Sequence, residues 1–228
     1  MKIKCGMILA AGLGKRLRPL TNKKPKALIK IGRQTLLERT INLLISYGVN
    51  EIVINTHHLA GQIKKAVFNK KYKAKITISE EKKKLLNTGG GVLKGTKKFK
   101  KKPFFVINPD TLWSKKYLNE LKNLEKLYFK NQKSSLLLVN KRLSFDKSFK
   151  GDFNLNKKFI TKKRNNKYIY TGLQIINRSI FKISNKKIFS MNEIWENLIK
   201  KNNLIGLKSN QKFYHLNTFK AYKKLKNY

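Results

Sequence analysis

The chain has 228 residues, 40% of them hydrophobic, which is ample for one packed α/β domain. Lys and Arg number 54 against 11 Asp and Glu, a formal net charge of +43, so close self-association is opposed and a monomer or weak homo-oligomer is expected. The single cysteine, Cys5, excludes an intramolecular disulfide and a cysteine-based zinc cluster, and no apolar run approaches the length of a membrane span.

Residues 3–10 read as a central parallel strand, apolar nearly throughout because helices cover both faces. A loop over 11–24 follows, rich in glycine and cations, and 28–31 suits a short strand. Residues 34–38 open a helix whose stripe of Leu36, Leu37, Ile41, Leu44 and Ile45 is closed by Gly48. Strands at 51–55 and 74–79 flank a helix at about 59–68, the alternation of a doubly wound sheet.

Residues 85–97 carry Thr88-Gly89-Gly90-Gly91 and then an amphipathic helix beginning near Val92. The strand at 103–108 ends in Pro109-Asp110-Thr111, placing an acid at a carboxyl end, where open α/β sheets bind their ligands. Residues 115–130 form an amphipathic helix with Tyr117, Leu118, Leu121, Leu124, Leu127 and Tyr128 inward, and 134–140 a further strand. Alternating segments at 151–155, 158–161 and 168–176 predict a small antiparallel extension of the sheet, with closing helices at 192–200 and 218–226. The expectation is one α/β domain over 1–228, doubly wound, with a mixed but mostly parallel sheet.

The stretch Gly12-Leu13-Gly14-Lys15-Arg16 has the chemistry of a phosphate loop. Glycines after a strand let backbone N–H groups approach an anion, and Lys15 and Arg16 add charge. It is neither a GxGxxG fingerprint nor a Walker A loop. Lys26 taken alone is one of many lysines and reads as solvated, whereas Asp110 is one of few acids and stands where function is expected.

The longer string, Ala10-Ala11-Gly12-x-Gly14-x-Arg16-Leu17-x-Pro19-Leu20-Thr21 followed by Pro25-Lys26-x-Leu28, resembles the nucleoside-triphosphate signature of the sugar-1-phosphate nucleotidyltransferases, with Ala27 where many members carry Pro. The resemblance continues in Thr88-Gly89-Gly90-Gly91, Asp110, Tyr170-Thr171-Gly172-Leu173 and, more weakly, residues 213–218. It implies the Rossmann-like nucleotide-diphospho-sugar transferase fold and transfer of a nucleoside monophosphate from an NTP to a sugar 1-phosphate. By matching motif, Arg16 would hold the β- and γ-phosphates, Lys26 the α-phosphate or the attacking phosphate, and Asp110 a Mg²⁺, with Mn²⁺ as an alternative. These three form the implied catalytic set.

The same resemblance gives Ala10, Ala11, Gly12, Gly14, Lys15, Arg16, Gly89 and Gly90 to the nucleotide, with Glu81 on the base edge or simply solvated beside Lys82. Asn55, Gly151, Asp152, Thr171 and Gly172 would hold the sugar phosphate, although Asp152 equally suits a hairpin turn. Residues 1–112 thus form the NTP half and 113–228 the sugar half. His215 departs from the pattern, since relatives carry Asp there as a second metal contact; metal ligand, phosphate contact or neither all stay open for it. Imidazole suits Mn²⁺ or Zn²⁺ better than Mg²⁺.

Short length, Thr88-Gly89-Gly90-Gly91 and Gly151-Asp152-Phe153 together resemble members that join UTP to N-acetylmuramate 1-phosphate, with mannose-1-phosphate guanylyltransferases as the alternative. Two readings of other classes compete: a basic nucleic-acid-binding protein, and a catalytically silent nucleotide-binding regulator. Against the first, only seven of the cations are Arg and the lysines are spread along the whole chain, as compositional drift would leave them. Neither a nucleic-acid nor a membrane partner is therefore expected. The apolar run after Lys2 and Lys4 is too short and too broken by glycine for a signal peptide, so the expected location is the cytoplasm.

Overall fold

A computed structural model of the chain describes residues 2–183 and 186–226. In chain order its strands are β1 (Cys5–Leu9), β2 (Lys30–Ile31), β3 (Gln34–Thr35), β4 (Glu51–Thr56), β5 (Lys75–Glu80), β6 (Phe104–Ile107), β7 (Ser134–Asn140), β8 (Asn154–Asn156), β9 (Phe159–Thr161), β10 (Tyr168–Ile176) and β11 (Leu204–Ser209). Its helices are α1 (Leu20–Lys23), α2 (Leu36–Tyr47), α3 (Ala60–Phe68), α4 (Asn87–Gly95), α5 (Leu118–Asn131), α6 (Met191–Lys200) and α7 (Phe219–Leu225).

A nine-stranded sheet runs in the order β5-β4-β1-β6-β10-β7-β11-β9-β8, and β2-β3 form a separate two-stranded hairpin. The first four strands are mutually parallel, as buried βαβ units must be, and β7 pairs with β11 in parallel. Side chains alternate across the strands. Ile8, Ile52, Ile54, Phe105 and Ile107 face one layer with α2, α3 and α5, whereas Met7, Val53, Phe104 and Val106 face the other with α4 and α6. No helix among the described residues is long and apolar enough to cross a membrane.

The structure departs from the sequence reading in five places. Residues 34 and 35, expected to open the helix, pair with β2 as strand β3, and α2 begins at Leu36. The cationic loop contains a short turn at Lys15–Leu17 as well as α1. Helix α4 begins at Asn87 rather than near Val92, so the glycine run lies inside it. Strand β10 does not extend the edge; it lies in the middle of the sheet, antiparallel to β6 on one side and β7 on the other, while β8 and β9 alone form the antiparallel edge. Strand β11 has no counterpart in the sequence reading.

Candidate active site

The carboxyl ends of β1, β4 and β6 open onto one edge of the sheet, and the chain leaving β1 turns at once into the cationic loop. Gly14 adopts a left-handed backbone with φ of 62°, and a β-carbon there would come within 2.8 Å of the Thr21 methyl. Its carbonyl accepts from Leu17 N and from the Thr21 hydroxyl, which fixes the loop from behind and leaves Gly12, Lys15 and Arg16 facing outward. At the loop's start, Ala10 N donates to Asn55 Oδ1 at 2.8 Å.

Two cavities meet over this edge. The first, about 340 Å³, is lined by the expected Ala10, Ala11, Gly12, Gly14, Lys15, Arg16, Lys26 and Asp110, together with Asn55. The second, about 570 Å³, takes Gly151 and Asp152 from the later half of the chain, with Tyr170, Gln174 and Trp195. Arg16, Asn87, Thr88 and Asn108 border both. Asn108, which sequence reasoning missed, follows β6 directly; its N–H donates to Gly172 O and its carbonyl accepts from Trp113 Nε1.

In the first cavity, Lys26 Nζ lies 2.5 Å from Asp110 Oδ2, and His215 Nε2 reaches the same oxygen at 3.0 Å. Burial would push the Asp110 carboxyl up, but the Lys26 ammonium and the His215 ring overturn that and hold it far below the usual carboxylate range. The aspartate is therefore charged at any working pH. Its other oxygen, Oδ1, is buried and has no hydrogen-bond partner among the described residues. Asp152 stands in contrast, since burial raises its carboxyl although Tyr170 N donates to it at 2.8 Å. Burial, then the Asp110 and Asp152 charges, push the Tyr170 phenol well up, so it stays protonated.

Several expected contacts face elsewhere. Glu81 is 1% exposed, and its two oxygens accept from Asn55 Nδ2 and Leu86 N, so neither reaches a base edge in this structure. Asn55, expected beside the sugar, instead ties Ala10 to Glu81 at the first cavity. The N–H groups of Gly89 and Gly90 both donate to Phe189 O, while a β-carbon at Gly91 would fall 2.8 Å from Asn55 Nδ2 and from Glu81 Oε1. The glycine run is thus a close-packing surface that lets α4 lie against these groups. Thr171 donates its hydroxyl to Leu137 O and accepts Thr111 Oγ1 at its carbonyl. It and Gly172 support the floor from behind and are not among the residues lining either cavity.

His215 is clamped between the rings of Phe149 and Phe213, each with its centroid 5.7 Å away. Its Nε2 faces the Asp110 carboxylate, which makes it a partner of that group in this arrangement. A divalent cation fits the donor set in one respect, the unpartnered Asp110 Oδ1, a hard anionic oxygen of the kind Mg²⁺ takes alongside phosphate and water. Among the described residues no three His, Cys, Asp or Glu side chains gather at metal-binding spacing.

Comparison with known proteins agrees with this geometry. A family model described as nucleotidyl transferase matches residues 5–143, more than half of the chain. The N-acetylmuramate alpha-1-phosphate uridylyltransferase of Caulobacter vibrioides is 36% identical over 113 residues, which cover 48% of this chain and 47% of that protein. The mannose-1-phosphate guanyltransferase of Candida albicans is 34% identical over 113 residues, covering 47% of this chain and 30% of that one. The matched stretch therefore spans about half the length of the first relative and less of the second. A crystal structure of UDP-glucose pyrophosphorylase complexed with UDP-glucose superposes with a TM-score of 0.79 at 21% identity, covering 98% of this chain and 97% of that one, which shows a shared fold. The chain belongs to the nucleotidyl transferase family.

Proposed function

We propose that the chain transfers a nucleoside monophosphate from an NTP to a sugar 1-phosphate, releasing pyrophosphate. The observation that carries this reading is Arg16 on the wall shared by two adjoining cavities, with the Lys26–Asp110 pair lining the first of them. A site for one substrate needs one cavity; joining two substrates needs a shared wall with charge on it. The loop after β1 and the residues up to Asp110 form the nucleotide side, and residues 151–196 supply most of the sugar side.

In the reaction an oxygen of the sugar phosphate attacks the α-phosphorus, an O–P bond forms, and the bond to the β-phosphate oxygen breaks so that pyrophosphate leaves. A phosphate oxygen is already anionic near neutral pH, so no general base is required. The chain's task is alignment and neutralisation of charge. Lys26, steered by Asp110, presents its ammonium to the α-phosphate or the incoming phosphate, and Arg16 holds the β- and γ-phosphates. Ala11 and Gly12 leave backbone groups free for the base edge. Mg²⁺ or Mn²⁺ held at Asp110 would supply positive charge to the phosphates as they are exchanged.

The favoured pair is UTP and N-acetylmuramate 1-phosphate, supported by the similarity to the Caulobacter uridylyltransferase. GTP with mannose 1-phosphate is the second reading, supported by the similarity to the Candida guanyltransferase. Pyrophosphate release measured with UTP, GTP, CTP, dTTP and ATP against a panel of sugar 1-phosphates separates them. Asp110→Asn and Arg16→Ala are each expected to lower turnover by roughly a hundredfold while circular dichroism stays unchanged. Release of pyrophosphate with no pair at all, or near-normal turnover in Asp110→Asn, overturns the reading.

A further inference from the structure

The chain contains three aspartates, and two of them meet the segment 215–217: His215 Nε2 lies 3.0 Å from Asp110 Oδ2, and Asn217 Nδ2 lies 3.4 Å from Asp146 Oδ2. In a molecule of net charge +43 this is a local concentration of carboxylates, but the group that makes it a defined site is an amide. Asn217 is 7% exposed, lines the first cavity together with Asp110, and has a buried Oδ1 with no hydrogen-bond partner among the described residues. A buried, unpaired amide oxygen costs free energy unless something occupies it.

Backbone pairing explains how Asn217 comes to stand there. The segment from Phe213 runs back along Asp110–Leu112: Leu112 N donates to Tyr214 O at 2.9 Å, Leu216 N donates to Asp110 O at 2.7 Å, and Thr111 bridges His215 in antiparallel fashion. Side chains alternate along an extended segment, so Leu216 enters the core while His215 and Asn217 share the face towards Asp110. The ends of the amide are distinguished by their neighbours. Nδ2 points to Asp146 Oδ2 at 3.4 Å, and Asp146 is itself fixed by Ser148 N and Oγ on its other oxygen. A carboxylate accepts, so the nitrogen belongs on that side and the oxygen faces away.

We infer that Asn217 Oδ1, together with Asp110 Oδ1, supplies the protein oxygens for a divalent cation, and that His215 is a positioning residue that holds the Asp110 carboxylate through Oδ2 and does not touch the metal. Both oxygens are unpartnered among the described residues; so is His215 Nδ1, but it points away from Nε2, which faces Asp110, and a hard cation prefers oxygen to imidazole nitrogen. This assignment rests on the transferase reading for its purpose, but its test does not depend on turnover.

The test is Mn²⁺ binding, followed by electron paramagnetic resonance of the free ion with and without UTP. Asn217→Leu is expected to weaken binding by roughly tenfold. Asn217→Asp keeps an oxygen at the position but loses the contact to Asp146, and is expected to hold Mn²⁺ at least as well as wild type. Protein labelled with ¹⁵N-histidine should show no hyperfine coupling of a directly bound nitrogen to Mn²⁺. Wild-type affinity in a folded Asn217→Leu, equal weakening in both variants, a directly bound histidine nitrogen, or no Mn²⁺ bound by the wild type in either state overturns the inference. Turnover in the sugar-phosphate panel alongside any of these leaves the transferase reading standing; bound Mn²⁺ through Asn217 without turnover does the reverse.

Discussion

At the residue scale, legibility followed chemical type. Arg16 stood out in a cationic glycine loop and Asp110 as one of few acids, whereas Lys26 was marked only by its Pro25-Lys26-x-Leu28 motif; the fold brings Lys26 and Asp110 within 2.5 Å although 84 positions separate them. Glu81, Gly89 and Gly90 carried the same apparent promise, yet their partners were set by packing that no local pattern encodes. Phe189, which takes the Gly89 and Gly90 N–H groups, lies far along the chain. Asn217 was missed for the opposite reason, since an amide among many asparagines attracts no notice until its neighbours are known. The glycine run gives a direct check on the packing account. Gly91→Ala sets a methyl 2.8 Å from both Asn55 Nδ2 and Glu81 Oε1, and should cost roughly 1–3 kcal/mol in denaturant unfolding. Wild-type stability in that variant would show that the pair yields without cost.

At the element scale, long periodic helices were readable and their ends were written in the chain. Thr35 caps α2 by accepting from Glu38 N while Glu38 Oε2 accepts from Thr35 N, a complete capping box, and Gly48 closes the far end. Two acids of α5, Glu120 and Glu125, are buried against the expectation of an all-apolar inner face, because Glu120 accepts from Ser209 and Glu125 from Ile3 N. The capping box gives a pH test. Burial works to raise the Glu38 carboxyl, but the Lys70 ammonium and the Thr35 donors outweigh it and hold it below 4.5. A depressed carboxyl contributes stability that is present above its unfolded value and disappears as pH falls through the folded one. Glu38→Gln should therefore unfold with about 1 kcal/mol less stability at neutral pH, and the difference should shrink towards zero as the pH drops below 4.5. A gap that persists in acid would assign the effect to packing.

At the scale of the whole molecule, fold class was legible from the alternation of strands and helices, but strand order was not. Adjacent positions in the chain do not say that β10 enters between β6 and β7, nor did residues 204–209 show enough alternation to announce β11. Charge is the other global property. With +43 distributed over the surface, anionic substrates are drawn in from a distance and the attraction is screened by salt. The apparent second-order rate with UTP should fall several-fold from low to physiological ionic strength, with kcat at saturation much less affected. A salt-independent rate would mean the surface lysines play no part in capture. The central place of β10 also bears on how the chain acquires its shape during synthesis. Until residue 176 has emerged, β6 is an edge strand, with the backbone groups of Phe104–Ile107 unpaired on one side and no β10 to separate it from β7. The first four strands can assemble early, so a nascent chain holds an open apolar margin over the whole interval in which residues 108–167 are being made.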